Sequence, residues 1–311
     1  MAAFSWRGIG WAALSIVCWG TTFPVGRYLM ANQSLDSVML VFTRYMAASL
    51  LMIGISVVVR RPSGFRALSR RDWLELNGHG ITLAVMSILL FAAQKTIPVL
   101  NASMVEAISP LLIFLVSLLT GCRASLLQCA GLALGFLGCM FVMRVADATG
   151  IHLTSFSFGD FLIVLSGLAW ALYTVLGRSL AVRLGGYTFT AWSMFFGGFW
   201  TFLYLLFEPS RLYLPDTLFE NLLVLYMALV PSALAFFAWN AAQKYIPLGL
   251  LALSEYFTPV IASLLGLFFL NEGISLFQVA GMVLVFGAAL VEPEISSRLH
   301  RFFRKRSIFF Q

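Results

Sequence analysis

Charge is what this 311-residue sequence has least of: Asp, Glu, Lys and Arg together make up 11% of it, against about one quarter in ordinary globular domains. A chain so poor in charge cannot cover a water-facing surface, so a soluble domain of this length is excluded. Histidine is almost absent. His79, His152 and His300 are the three, all near span ends or loops, and no HExxH pattern occurs, which removes zinc-hydrolase chemistry. There is no G-x-S-x-G elbow and no glycine loop placed to cradle phosphate between a strand and a helix, which disfavours an acyl hydrolase and nucleotide-driven pumping. The four cysteines (Cys18, Cys122, Cys129, Cys139) sit in or beside apolar runs without paired spacing. They read as small packing residues and not as a disulfide or metal framework. No metal or cofactor is called for, and a membrane-embedded enzyme is the weaker alternative.

What the sequence has instead is apolar length. Hydrophobic residues make up 60% and mean hydropathy is +0.92. A bilayer core takes about 20 apolar residues per helix, and the runs fall near 8–30, 37–59, 78–95, 99–120, 124–144, 160–181, 187–207, 218–243, 249–270 and 274–291. The expected fold is an all-α membrane protein of ten transmembrane helices. Arg7 and the apolar run from Ile9 are followed by Trp19-Gly-Thr-Thr-Phe-Pro24 with no small-residue cleavage site, so the first run reads as a retained span.

The formal charge of +7 is a topology signal. With the N-terminus inside, fifteen Lys and Arg fall on the cytoplasmic side, only Arg27, Lys95, Arg144 and Arg211 on the other, and Arg44 within a span. The positive-inside rule therefore puts both termini in the cytoplasm. Nucleic acid is not needed to explain the basicity. The tail RLHRFFRKRSIFF mixes cations with Phe, as a segment lying on anionic lipid does; a cytoplasmic retention signal serving topology alone reads equally well.

The sequence is written twice. KTIPVLNASMVEAISPL (Lys95 to Leu111) aligns without a gap with KYIPLGLLALSEYFTPV (Lys244 to Val260), 149 residues on. Gln128-Cys-Ala-Gly131 recurs as Gln278-Val-Ala-Gly281, and Trp19, Gly26 and Arg27 recur as Trp170, Gly177 and Arg178. The halves, 1–150 and 151–311, each hold five spans. Five is odd, so the second copy enters the membrane from the opposite side, giving two inverted five-helix repeats. Inverted repeats exchange conformations at similar energy, and secondary transporters place their sites near the midplane between them.

Together the W-G-x-T-x-P of the first span, the G-D-x(9)-W-A-L-Y of the sixth, the fourth- and ninth-span prolines and the Q-x-x-G openings of spans five and ten resemble the drug/metabolite transporter superfamily, EamA branch. Ser254-Glu-Tyr-Phe-Thr-Pro-Val260 is similar to the ninth span of the YddG-type aromatic amino acid exporters. The resemblance implies a ten-helix exporter in the bacterial inner membrane, with a central cavity lined by spans 1, 3, 4, 6, 8 and 9. It also implies a cargo of amino acids or other small metabolites, moved by alternating access, with protons as a possible coupling partner and a monomer or weak dimer as the assembly. Efflux of cationic or aromatic compounds is the alternative.

The candidate site grows from the repeated prolines. Pro110 and Pro259 cannot donate to the carbonyls four residues earlier, which belong to Glu106 and Glu255. Each glutamate is thus expected to bring a carboxylate and an unpaired carbonyl to one kink, and ionisable groups within spans are functional candidates. Glu106 lies about 10 Å into its span at 1.5 Å per residue, at the depth of Arg44, so an Arg44–Glu106 pair is expected. Glu255 has no cation at its depth, and only Lys244 is placed to approach it. Around the acids, Trp19, Trp170, Tyr173, Trp239 and Tyr256 are expected to supply flat walls. Gln94, Asn101, Asn240 and Gln243 are the expected amides, with Gln94 and Gln243 equally suited to capping helix ends.

Overall fold

The computed structural model describes residues 5–31, 35–59, 68–95, 99–122, 125–143, 145–147, 150–151, 158–270 and 274–291. The basic tail read from the sequence lies outside them. In the first half, α1 (Trp6–Gly20) bends at Thr21 into α2 (Thr22–Ala31), and α3 (Ser37–Val58), α4 (Arg70–Gln94), α5 (Val99–Leu119) and α6 (Leu126–Val142) follow. A hairpin of two-residue strands, β1 (Ala146–Asp147) and β2 (Gly150–Ile151), precedes the second half. There α7 (Phe158–Leu184), α8 (Gly186–Phe207), α9 (Leu218–Met227), α10 (Ala235–Ala242), α11 (Leu248–Ser254), α12 (Phe257–Leu270) and α13 (Leu276–Val291) follow in order. A π-helical stretch, Ala228–Leu234, joins α9 to α10.

The protein is therefore a helical membrane protein. Among the described residues, five helical stretches are long and apolar enough to cross a bilayer: α3, α4, α7, α8 and the run Leu218–Ala242, with shorter apolar helices beside them. Leu50, Ile55 and Val58 stand exposed along α3, as lipid-facing side chains do.

The largest boundary difference from the sequence is at α4, which starts at Arg70 rather than 78. Ser69 accepts from the Asp72 N–H at 3.2 Å, and Asp72 accepts from the Ser69 N–H at 2.9 Å. This capping box satisfies two orphan donors and carries the helix two turns beyond its apolar run.

Helix packing repeats between the halves. α4 packs on α7, α5 on α7, α4 on α8, α3 on α8 and α6 on α13. Exchanging every helix for its counterpart turns these into contacts that also occur: α10 with α1, α12 with α1, the π-helical stretch with α3, and the last two onto themselves. The α6–α13 contact has this symmetry in detail. Both helices open on a capping box, Ser125 with Gln128 and Ser275 with Gln278, so the repeated glutamine is a helix-starting device. A Cβ on Gly138 would lie 2.7 Å from the Gly281 carbonyl oxygen, and one on Gly281 2.6 Å from that of Gly138. Only glycine permits that approach.

α4 is anchored to the second half at both ends. Near its start Asp72 pairs with Arg183 of α7. At its end Lys95 reaches Asp36, the N-cap of α3, at 3.2 Å, and Arg211 reaches the same carboxylate at 3.3 Å. Burial opposes the charge on Asp36, but the Val38 N–H, Lys95 and Arg211 outweigh it and hold the carboxyl below its ordinary value.

Candidate functional site

Three interruptions of regular helix meet in the interior. The first is the bend at Thr21, which sets Trp19 and Thr22 on either side of it. The second is the π-helical stretch. Pro231 cannot donate to the Met227 carbonyl four residues back, and the Ser232 hydroxyl takes that acceptor at 2.7 Å. The Ser232 oxygen then accepts from Arg44 Nε at 3.0 Å, while the Pro231 carbonyl accepts from Trp19 Nε1 at 3.1 Å. One proline thus re-aims a hydroxyl and a carbonyl across the bundle, the use to which π-bulges are often put.

The third interruption separates α11 from α12 at Glu255 and Tyr256, ahead of Pro259. The sequence reading expected the Glu255 carbonyl to be left unpaired. The structure corrects this: the Thr258 N–H donates to it at 2.9 Å, because the chain tightens to three-residue turns there. The Glu255 carboxylate is buried and accepts from Trp170 Nε1 at 2.6 Å. Lys244 does not reach it. Its ammonium lies 5.9 Å from the Tyr245 ring centroid, beside a separate cavity of about 500 Å³ where α1, α3, α8 and α10 end together.

Between the three interruptions lies an interior cavity of about 110 Å³. Trp19, Thr22 and Arg44 wall it from α1, α2 and α3, and Met86, Ser87 and Leu90 from α4. Ser109 of α5, Ser166, Gly167 and Trp170 of α7, Phe236 of α10, Glu255 and Thr258 complete it. Trp19, Trp170 and Phe236 form an aromatic corner with centroids 5.2–5.7 Å apart at near-perpendicular angles. Arg44 is buried, with its guanidinium 5.0 Å from the Phe91 ring centroid. Arg44 and Glu255 thus share one cavity without forming an ion pair with each other. Among the described residues no three His, Cys, Asp or Glu side chains gather as metal ligands.

Of the residues singled out from sequence, Trp19, Arg44, Trp170 and Glu255 line this cavity. Others lie behind its wall. Asn240 donates to Tyr173 Oη at 3.0 Å and Thr190 Oγ1 at 2.9 Å, and accepts from Gln243 Nε2 at 2.9 Å. Tyr173, Asn240 and Gln243 are thereby part of a packed network, and Trp239 is buried against Trp19 and Trp170. Tyr256 points away from the cavity: its ring fills the space above Gly135 and its hydroxyl donates to the Leu132 carbonyl at 3.2 Å. Gln94 packs near Gly26 with both amide atoms buried and without a hydrogen-bond partner among the described residues. Pro110 is buried inside α5, which runs through it, and Pro259 lies near the start of α12. The Glu106 and Asn101 side chains, and hence the expected Arg44–Glu106 pair, lie outside the described residues.

The sequence reading missed Thr22, Met86, Ser87, Leu90, Ser109, Ser166, Gly167, Phe236 and Thr258. A signal for two was present: Ser109 and Thr258 are the residues before the repeated prolines, at the repeat spacing. Ser87 and Phe236 are counterparts at the same spacing, as Trp19 and Trp170 are near it. The cavity therefore takes matched positions from both halves.

Comparison with known proteins agrees with that duplication. The profile of the EamA-like transporter family matches twice, at residues 6–144 and 157–291. An uncharacterized transporter of Archaeoglobus fulgidus is 27% identical over 286 residues, 89% of this chain and 94% of that protein. Protein PecM of Dickeya dadantii is 27% identical over 287 residues, 89% of each chain. A probable terminal-alkyne amino-acid exporter of Streptantibioticus cattleyicolor is 24% identical over 267 residues, 84% of this chain and 85% of that protein. A crystal structure with 23% sequence identity superimposes with a TM-score of 0.75 over 96% of this chain and 99% of its own, and so shares the fold. With one profile met once in each half, around a cavity that both halves wall, the chain belongs to the EamA-like transporter family.

Proposed function

We propose that the protein is a secondary-active or facilitative carrier that exports small amphipathic metabolites, amino acids foremost, by alternating access through the interior cavity. In this reading the helices form ten spans, with α1–α2, α9–α10 and α11–α12 each making one interrupted span. The segments 1–150 and 151–311 are two inverted five-helix repeats in a bacterial inner membrane, both termini are cytoplasmic, and the carrier works as a monomer or weak dimer. Two supports are independent of the family: helix contacts that survive exchange of the halves, and matched cavity residues from each half.

One observation carries the cargo assignment. A buried cation, Arg44, and a buried acid, Glu255, face the same cavity without neutralising each other. Charges held apart in a low-dielectric site are costly, and a zwitterion offsets both at once, its carboxylate toward Arg44 and its ammonium toward Glu255. Glu255 also suits proton coupling, since it accepts one hydrogen bond from Trp170 and pairs with no cation among the described residues. The probable terminal-alkyne amino-acid exporter of Streptantibioticus cattleyicolor supports the same class. Cationic or aromatic efflux is the second reading, favoured by the Trp19–Trp170–Phe236 corner and opposed by Arg44, which repels a cation.

The test is amino-acid flux in proteoliposomes. Wild-type protein is expected to move a zwitterion in preference to its amino-alcohol or carboxylic-acid analogue. Glu255→Gln, similar in shape and uncharged, is expected to abolish flux while purified yield and monodispersity persist. Normal flux in that variant removes Glu255 from the mechanism.

A further inference from the structure

Two departures from the duplication meet inside the bundle. α3 and α8 are counterparts that open at Ser37 and Gly186, and the same spacing sets Arg44 against Ser193. Ser193 is neutral and serves the packed network through Tyr173 Oη. Likewise Pro231 and Ser232 of the π-helical stretch stand where α4, an unbroken helix, carries Thr82 and Leu83. Each half thus holds one feature the other lacks. The two are joined, because Arg44 Nε donates to Ser232 Oγ at 3.0 Å.

That contact leaves the rest of the guanidinium free. Arg44 lines the cavity, and its Nη1 and Nη2 have no hydrogen-bond partner among the described residues. Neither nitrogen is walled off: the unpartnered atoms sealed from a water-sized molecule belong to other side chains, Thr22 and Gln94 among them. A buried cation left mostly unbonded is costly, yet this one is held firmly. Its Cζ lies 5.0 Å from the Phe91 ring centroid and 6.0 Å from that of Tyr45. Ser232 is fully buried and donates its own proton to the Met227 carbonyl, so a lone pair is left for Nε. With Nε taken, Nη1 and Nη2 are the one bidentate pair that remains. We propose that Ser232 is a positioning residue, which by holding Nε aims the free end of Arg44 into the cavity as a fixed fork for the cargo's carboxylate.

The inference rests on the transport reading above and deepens it from charge to shape. A carboxylate offers two oxygens in one plane, which two parallel N–H donors match. A carboxamide has nearly the same outline but offers one oxygen and turns an NH₂ group toward the second nitrogen. Sites built to hydrogen-bond a polar group strongly reject analogues that leave a buried partner unpaired. A lysine at position 44 would keep the charge and lose the fork. The favoured cargo therefore carries a free carboxylate, and the discrimination against its amide depends on Ser232.

The experiment first finds which proteinogenic amino acid wild-type proteoliposomes move fastest. Dissociation constants for that amino acid and for its carboxamide are then read in detergent from the rise of melting temperature with ligand concentration. The proteins are full-length wild type, Ser232→Ala, Ser232→Cys and Arg44→Lys. Wild type is expected to bind the amino acid at least about tenfold more tightly than the amide. Ser232→Ala is expected to weaken the amino acid about tenfold and the amide less than about twofold, since only the carboxylate needs the fork. Ser232→Cys, similar in shape with a weak acceptor, is expected to fall between, and it carries the test if the alanine variant does not fold. Arg44→Lys is expected to lose the preference for acid over amide. A Ser232 that merely supports the fold weakens both ligands alike; that result, or an unchanged affinity for the amino acid, overturns the assignment. Equal wild-type affinity for acid and amide, or a preference that survives in Arg44→Lys, overturns the fork and leaves transport intact. Wild-type vesicles that move no amino acid overturn the cargo reading and this inference with it.

Discussion

Trp170 stands between two polar regions built from similar residue types. On one side is the cavity, where its indole donates to Glu255 at 2.6 Å. On the other its ring stacks on Tyr173 at 5.6 Å and 17°, and behind Tyr173 lies the network of Asn240, Thr190, Ser193 and Gln243. Both regions are buried, aromatic and hydroxylated. They differ in how far their polar capacity is used. Asn240 spends both amide protons and its carbonyl oxygen within the protein, whereas the Glu255 carboxylate, which lines the cavity, accepts one side-chain hydrogen bond among the described residues, from Trp170. A saturated group rigidifies, and an unsaturated one beside a void waits for a ligand.

The strongest way to break this comparison is Asn240→Leu. It leaves Gln243 Nε2 without its acceptor and removes one partner each from Tyr173 and Thr190, which keep Ser193 and the Phe236 carbonyl. A buried group left without a partner costs about 1–3 kcal/mol, and the two further lost bonds bring the expected loss to about 3 kcal/mol. Thermal unfolding in detergent reads this as a marked drop in melting temperature. The KM of the protein that remains folded is expected to match wild type. A large change in KM with stability preserved would move Asn240 from scaffold to site.

Trp170→Phe acts on the boundary itself and is expected to be milder. Phenylalanine keeps a ring against Tyr173 but removes the donor to Glu255. Hydrogen bonds to charged groups are worth about 1.5–3 kcal/mol, and part of that is recovered because Glu255 borders a space that water can enter. The measurable outcome is a smaller melting shift than for Asn240→Leu with a larger loss of flux. The reverse order would show that Trp170 serves the network more than the cavity.

Much of this was legible in the sequence, for identifiable reasons. Membrane helices announce themselves by apolar length, and duplication by spacing, so the runs around α3, α7 and α8 were found to within a few residues. The start of α4 was not, because a capping box and a polar first turn carry no hydropathy. Glu255 and Arg44 stood out because charge in an apolar run is rare. Thr22 and Ser166 did not, because hydroxyls are common in spans and only the fold reveals which are satisfied. The expected aromatic wall divided for the same reason. Trp19 and Trp170 face the void, while Tyr256 is claimed by the space over Gly135, a tertiary contact that spacing within one helix cannot disclose.

The smallest effect is expected at the end of α4, just beyond the cavity residue Leu90. α4 has 25 residues, about 37 Å at 1.5 Å per residue, and Asp36 ties its Lys95 end to Arg211 of the second half. The cations are about two-fifths exposed, 37% for Lys95 and 42% for Arg211, so each pair is worth less than about 1 kcal/mol and weakens with salt. The folded-state pKa of Asp36 is lowered. Its contribution is therefore complete above the ordinary carboxylate value near 4 and is lost as pH falls through the lowered one. Stability between pH 7 and 5 should not depend on this group, and Asp36→Asn should cost the same small amount throughout that range. On the alternating-access proposal the link joins segments that move relative to one another, and the variant is expected to change flux by a few-fold with KM unchanged. A shift in KM would mean that the Asp36 anchor acts on the cavity that Met86, Ser87 and Leu90 of α4 already wall, and the group would move from those that hold the fold to those that govern the cargo.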